Sequence, residues 1–374
     1  MAKADKEEKK ESSNEVLEKI LKATKADHYA FEAPKNRIIS TGSLILDSIV
    51  KVRSGSTVRL TGKGFELGKS SQGFVFAANY MKEMPKSKTI YIKAEARLSP
   101  EMQMRSGHKF CTEAKDWEYG TVFIFPCNVF ETVADTIETL LKSMHELGEH
   151  LCVIIDSLDG LILKDDLTTK GYTNTTQVAG VQKLTKLMFR RLALPINYYD
   201  AMLLMTSQYS VVIQLDKYNP VINQTAGGGG SSAGHQSDYI FEYGIRFKSD
   251  YILEKPDEQP DYQKNKIIGV YSSIEIKKGS TDATGTKVKI PIKKGRVGCA
   301  IWIEKEVVDF IIGLGWATKA GSWLTFEKEI IEEAKAAKIE LKEKVQGVNQ
   351  LYDYLEENKE ILSFFLKKVQ NTIT

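Results

Sequence analysis

Residues 57–81, TVRLTGKGFELGKSSQGFVFAANYM, pass from a β-type run into a glycine-rich loop and leave it as an apolar-periodic helix. Such a loop turns its backbone N–H groups inward, and the helix N-terminus adds the positive end of its dipole. Together they make a cradle for phosphate oxygens. Gly68, Lys69 and Ser70 supply the second half of the pattern G-x-x-x-x-G-K-[ST], in which the lysine reaches the terminal phosphates and the hydroxyl holds Mg²⁺. The first half departs from it. At strict spacing the opening glycine falls on Lys63, flanked by Gly62 and Gly64, and Phe65 and Glu66 stand where smaller residues fit more easily. The loop is one residue longer or re-registered, and its expected ligand is a nucleoside triphosphate, against the alternative of a plain glycine-rich turn.

Around this segment the apolar periodicity alternates between strand and helix, which predicts an α/β fold with a mostly parallel sheet. Residues 37–50 form a polar turn between apolar segments. After the helix, ended by Pro85, Thr89–Glu95 is a buried strand with a carboxylate at its C-terminal end, the edge where ligands sit in open α/β sheets. A glutamate there can orient and deprotonate water for attack on a γ-phosphate, although strand-end glutamates are often merely solvated. Thr121–Pro126 is a further strand, followed by a helix over Val129–Leu147. In LCVIIDSL, apolar β-formers run into Asp156, a carboxylate placed to support Mg²⁺ or, more plainly, to cap a turn.

Residues 157–176 are polar and loop-like, and a helix rich in Lys and Arg follows over Gln177–Ala193, with Lys183, Lys186, Arg190 and Arg191, stopped by Pro195. The strand AMLLMTSQ ends in Gln208. Beyond it, residues 209–236 form a long polar segment with Tyr209 and the run Gly227, Gly228, Gly229 and Gly230. Glycine runs are usually linkers, but amides, aromatics and flexible backbone also suit a segment that orders around single-stranded nucleic acid. Strand alternation returns over Asp238–Phe247, Ile267–Lys278 and Lys287–Gly298. A small unit of one helix, a turn and a strand then precedes a helical tail from Glu327.

A chain of 374 residues has room for one large domain with appendages. Its net charge of +3 is close to neutral, so nucleic-acid binding has to come from local arrangement. The four cysteines are far apart with no C-x-x-C pair, against a zinc ribbon or disulfide framework and in favour of a reducing cytoplasm. No apolar stretch approaches the roughly eighteen residues of a membrane span, so no membrane partner is expected. At the N-terminus a mixed-charge run leads into Val16, Leu17, Ile20 and Leu21 at helical spacing. So short an amphipathic helix must dock on its own domain or on a second copy.

Several stretches, in order, resemble the RecA family of recombinases and its phage-encoded branch in particular. ISTGSLILDSIV is similar to the approach to the phosphate loop, KAEARLSPEMQMRSG to the strand-end glutamate and its following helix, and LCVIIDSL to the Mg²⁺-linked aspartate strand. MLLMTSQ resembles the strand with the family's glutamine, the glycine run with SDYIFEY resembles the mobile DNA-binding loop, and GLGWATKAGSWLTF the closing segment. The resemblance covers roughly residues 15–326.

It implies a RecA-like ATPase core over 37–298, preceded by a charged segment and oligomerisation helix (1–36) and followed by a small C-terminal domain with a helical tail (299–374). It implies that Gly62, Gly64, Gly68, Lys69, Ser70 and Ser71 hold ATP, and that Ser70 and Asp156 serve Mg²⁺. Glu95 would activate water and Gln208 would sense the γ-phosphate. DNA would be bound near 158–176 and 209–236, with Lys164, Lys170, Arg190, Arg191, Tyr209 and Gly227–Gly230 as candidate contacts. Lys277 and Lys278 fall where the family supplies cations to the ATP of an adjacent protomer, though there the cations alternate with another residue. Lys93 stands where an acidic residue is usual, and the highly acidic tail of the family's cellular members is absent. The implied activity is DNA-dependent ATP hydrolysis by a homo-oligomeric filament on single-stranded DNA that pairs with duplex DNA, aided by single-strand-binding and mediator proteins. The alternatives are a filament protein with a weak ATPase and a ring helicase on the same core.

Overall fold

The computed structural model describes residues 36–62, 67–95, 98–168, 178–212, 223–226, 236–254 and 264–373, with Leu17, Lys19 and Ile20. Where the sequence predicts a turn at 37–50, a short helix α1 (Leu44–Ile49) forms, because the Ser43 side chain accepts the Leu46 N–H and caps it. Next come β1 (Ser56–Gly62), buried throughout, and α2 (Lys69–Glu83), which stops before Pro85 as expected. β2 (Ser87–Lys93), α3 (Pro100–Ser106), β3 (Lys109–Cys111), β4 (Thr121–Phe125), α4 (Phe130–Glu146) and β5 (His150–Asp156) follow. A 3₁₀ turn at Leu158–Gly160 and a helix α5 (Lys164–Thr168) occupy part of the stretch expected to be loop.

Two further expectations are corrected beyond that point. Helix α6 (Val178–Tyr198) does not stop at Pro195 but runs through it. The proline lacks an N–H, yet its carbonyl accepts from Tyr199 at 2.8 Å, and it and Ile196 are buried. A proline inside a helix costs about 3 kcal/mol through its missing N–H and the clash of its ring with the preceding turn, and burial of a large aliphatic side chain, at about 1.5–3 kcal/mol, is of comparable size. Strand β6 (Met202–Val212) does not end at Gln208. It continues for four residues and turns back as β7 (Asn223–Ala226), with Tyr209 opposite Ala226 and Val212 opposite Asn223. Part of the expected long loop is therefore a β-ribbon. The strands β8 (Tyr239–Tyr243), β9 (Tyr251–Leu253), β10 (Ile267–Lys278) and β11 (Lys287–Lys293) complete the sheet.

Among the described residues the sheet has eleven strands, in the order β11-β10-β8-β1-β6-β5-β2-β4-β3, with β7 on β6 and β9 on β10. From β8 to β3 every neighbouring pair is parallel, and β10 and β11 close one side antiparallel. The chain is thus an α/β protein with a large, mostly parallel central sheet flanked by helices. Strand alternation divides its core. Cys152 and Ile154 pack with Phe74, Phe76 and Tyr80 of α2, whereas Leu151, Val153 and Ile155 pack with Val133, Ile137 and Leu141 of α4 and Phe189 and Leu192 of α6. Strands buried on both faces are continuously apolar for this reason.

The C-terminal part is larger than the expected helix, turn and strand followed by a helical tail. Helix α7 (Ile303–Gly313), β12 (Ala317–Ala320), β13 (Trp323–Phe326), α8 (Lys328–Ala336), β14 (Lys344–Gln346), α9 (Gly347–Glu357) and α10 (Lys359–Ile373) surround a core of their own. The supposed tail contributes the third strand of a β12-β13-β14 sheet and buries Leu351, Leu355, Phe365 and Val369. Leu44 of α1 packs into this core too. Beside it Glu306, fully buried on α7, accepts the Ser43 hydroxyl and the Leu44 N–H, each at 2.6 Å. A carboxylate from one part of the chain thereby satisfies the first turn of a helix in the other.

Among the described residues no helix is long and apolar enough to cross a membrane. Burial pushes the Glu306 carboxyl up from 4.5 to about 8, against the opposing pull of its two donors. The native chain then holds a proton there that the unfolded chain releases. Stability is full below about pH 4.5 and falls as pH rises towards 8. Denaturant melts at pH 5, 6.5 and 8 should show this decline, and Glu306→Gln should flatten it. An unchanged slope in the variant would assign the decline to another group.

Candidate functional site

Parallel pairing brings several strand ends to one edge. Gly62 of β1 lies opposite Gln208 of β6, Ile155 of β5 opposite Met205, and Lys93 of β2 opposite Asp156. Just past these ends opens a cleft of about 440 Å³, lined by Leu67 to Ser71, Glu95, Ser99, Met102, Arg105, Asp156, Ser157 and Thr206 to Gln208. Residues far apart in sequence, Lys69, Ser70, Ser71, Glu95, Asp156 and Gln208, therefore meet in one place.

On one wall is the start of α2. Its N-cap, Gly68, has φ +94°, a left-handed conformation that costs glycine little, and makes no side-chain cap bond. The first-turn N–H groups of a helix have no intrahelical partners, and the N-cap glycine brings no side chain of its own to them. Lys69 and Ser70 are half-buried at that point and Ser71 is exposed. Gly62 ends β1; Gly64 lies outside the described residues.

Opposite stands Asp156. Tyr91 on β2 donates its hydroxyl to Oδ2 at 2.7 Å, and Thr206 on β6 donates to Oδ1 at 2.5 Å, so the strands on either side orient the carboxylate. Burial pushes the Tyr91 phenol well above its usual range, and Asp156 and Glu95 add to this, which keeps it a donor. Glu95 is two residues beyond the end of β2, a correction to the expected strand Thr89–Glu95. Its backbone N–H donates to the Asp156 carbonyl at 3.3 Å, and its carboxylate accepts the Ser157 hydroxyl. The Asp156–Ser157 peptide is cis. One hydroxyl and one or two carboxylates, all hard oxygen donors, fit Mg²⁺, which keeps several waters and takes further ligands from phosphate. Among the described residues no cluster of three or more His, Cys, Asp or Glu side chains forms an all-protein metal site.

Other residues singled out from sequence lie elsewhere. Lys278 pairs with Ile240, level with Arg59 and below the edge, so this pair of lysines does not line the cleft. Lys277 is bound to Glu275 at 2.6 Å and Glu242 at 3.3 Å. Arg190 is exposed on α6, and Arg191 pairs with Glu138 of α4 at 2.7 Å. Lys164 is exposed at the start of α5, its N–H bonded to Glu131. Lys170 and Gly227 to Gly230 lie outside the described residues, as does the side chain of Tyr209.

Sequence reasoning missed Tyr91, Ser157, Thr206 and Arg105. Tyr91 did carry a signal, because a tyrosine inside an apolar strand needs a partner for its hydroxyl. For Arg105 no signal existed before α3 was placed over the cleft. In comparisons with known proteins, no family model matches the chain and no curated protein matches it.

Gly160 sits against this wall. A Cβ there would come 2.9 Å from Glu95 Cγ and 3.0 Å from the Ala94 carbonyl, and the second atom is backbone that cannot swing aside. Gly160→Ala should cost about 1–3 kcal/mol, the range for overpacking, and lower the melting temperature by several degrees. Differential scanning calorimetry of parent and variant checks this, and equal melting temperatures would show that the 94–95 backbone yields freely.

Proposed function

We propose that this protein is an ATP-dependent recombinase of the RecA type that assembles as a helical filament on single-stranded DNA and pairs it with a homologous duplex. One observation carries the nucleotide part: Lys69, Ser70, Glu95, Asp156 and Gln208 line a single cleft at the C-terminal edge of a parallel sheet, beside the N-terminus of a helix whose N-cap is glycine. In this reading Gly68 to Ser71 receive the phosphates through backbone N–H groups, and Lys69 balances their charge. Ser70 and Asp156 would hold Mg²⁺, which when bound neutralises charge on the phosphates. Glu95 positions and deprotonates a water, and the Gln208 amide lies where it can donate to a terminal phosphate.

The DNA part rests on the resemblance and on the position of Gln208. Its strand continues into the β6–β7 ribbon, and the glycine run follows β7 directly in the chain. A backbone displacement at Gln208 is therefore passed into the segment expected to meet DNA. A filament protein with a weak ATPase is the second reading, favoured by Lys277. Its ammonium is already neutralised by Glu242 and Glu275 of the same chain, so service to a neighbour's phosphates would require breaking both pairs.

Lys69→Ala should lower ATP hydrolysis in the presence of single-stranded DNA by about a hundredfold or more, as expected for loss of a group that stabilises transition-state charge. Its melting temperature should stay near the parent's, because Lys69 is only half-buried at the edge. Hydrolysis at the parental rate would overturn the site assignment. Binding of the ATP-bound protein to single-stranded DNA should weaken steeply with salt, by a slope of roughly −0.7 per neutralised phosphate. Anisotropy titrations across a salt series measure it, and a flat dependence would remove DNA as the partner. Parental hydrolysis that is slow even with DNA would select the second reading.

A further inference from the structure

Behind the cleft lies a group of charges that the phosphate-binding roles leave unexplained. Arg59 stands in the middle of β1, is 1% exposed and heads the largest fully buried side chains of the chain. A guanidinium at such a position costs several kcal/mol unless it is compensated by charge and hydrogen bonds. Its Nε donates to Ser207 Oγ at 2.8 Å. One residue further along β6, the backbone N–H of Gln208 donates to Asp159 Oδ2 at 2.6 Å. Asp159 belongs to the 3₁₀ turn that follows β5 directly after Asp156. Burial raises its carboxyl, while the Gln208 N–H, Arg59 and Lys69 draw it back down.

Two successive residues of β6 are therefore gripped from neighbouring strands, Ser207 by a guanidinium from β1 and Gln208 by a carboxylate from the β5 turn. At this level the ordinary strand ladder is running out, since β1 ends at Gly62, opposite Gln208. β5 ends earlier, its last pairing with β6 being Ile155 to Met205. A strand that leaves its neighbours needs another partner for its N–H groups. Asp159 supplies one at the residue whose side chain lines the cleft.

The geometry assigns to Asp159 the role of positioning Gln208: the carboxylate fixes the Gln208 backbone at the point where β6 leaves the sheet and so sets its side-chain amide at the cleft. The consequence for function rests on the nucleotide reading of that cleft, while the grip itself does not. Asp159 touches the backbone of Gln208, so it acts through Gln208 and is a positioning residue. The amide carries a charge-assisted hydrogen bond, and losing such a bond shifts an equilibrium by roughly one to two powers of ten.

Two measurements on the full chain test this. The first is residue-resolved amide exchange without nucleotide. In Asp159→Ala the Gln208 amide should exchange about tenfold faster or more, with the amides of Leu203 to Met205 unchanged. The second is fluorescence titration with N-methylanthraniloyl ATP and ADP. The variant's preference for ATP over ADP should fall about tenfold, with ADP affinity within about twofold of the parent's. Asp159→Leu, of similar volume but without an acceptor, should be as impaired as the alanine variant, which a merely space-filling role does not predict, whereas Asp159→Asn, which keeps an acceptor oxygen at the same reach without the charge, should recover part of both values. Should the alanine variant fail to fold, Asp159→Ser, too short to reach the amide, takes its place with the same expectations. Unchanged Gln208 exchange in a folded Ala or Ser variant overturns the assignment, as does an Asn variant as impaired as Ala. A parent chain that binds neither nucleotide refutes the nucleotide reading instead, and the exchange measurement still decides whether Asp159 holds Gln208.

Discussion

Parallel pairing of β8, β1, β6, β5 and β2 is the constraint from which the rest follows. Parallel neighbours must end at the same edge, and β2, β5 and β6 are each reached by a crossover that covers a face of the sheet with a helix. The strands are thus buried on both sides, and their polar residues collect where burial ends. Gly62, Asp156 and Gln208 close or pass the sheet at one edge, and Glu95 lies just past its strand there. A site of separate chemical groups needs no special recruitment in such a sheet, because topology delivers each strand's last residues to one cleft.

Order at that edge comes from hydroxyls. Asp156 is held by Tyr91 and Thr206 from the two adjacent strands, and Glu95 by Ser157. Each of these bonds joins elements that are neighbours only in the folded sheet, so the carboxylates are oriented before any ligand arrives. β6 has a second role. It passes through the site and continues to Val212 in a ribbon with β7, so the segment beyond Gln208 is anchored by backbone pairing before the glycine run begins.

The C-terminal part is joined to the rest of the chain by packing, by an ion pair between Lys293 of β11 and Glu356 of α9, and by the buried Glu306 carboxyl group. Leu44 of α1 sits in the core built by α7, α9 and α10, and Glu306 caps the start of α1. Acceptance of two hydrogen bonds at a helix N-terminus favours the anion, yet burial outweighs it and favours the neutral acid. The balance of those effects makes this joint responsive to pH, and makes α1, which leads into the strand before the cleft, dependent on the C-terminal elements from α7 onward.

Much of the fold was legible in the sequence. The run TIYIK, the run LCVIID and the alternation over Ile267–Lys278 specify strands, because apolar β-formers of that length have no other stable burial. Gly68-Lys69-Ser70 marks the start of α2, since glycine before a helix followed by a cation and a hydroxyl combines a local turn preference with a local charge preference. Pro195 misled: the penalty for proline in a helix is local, whereas the burial of Pro195 and Ile196 that opposes it is set by tertiary packing. Gln208 misled likewise, as polar residues end strands unless another chain segment pairs with them, and β7 does. By itself the sequence determined the elements whose causes lie within a few residues: strand runs, caps, and the glycine loop with its lysine. Only the tertiary structure decided which strand ends meet, that Asp156 is held by Tyr91 and Thr206, and that Arg59 and Asp159 grip β6. Those contacts join residues about fifty to one hundred and fifty positions apart, and only strand order and register bring such residues within a hydrogen bond of each other.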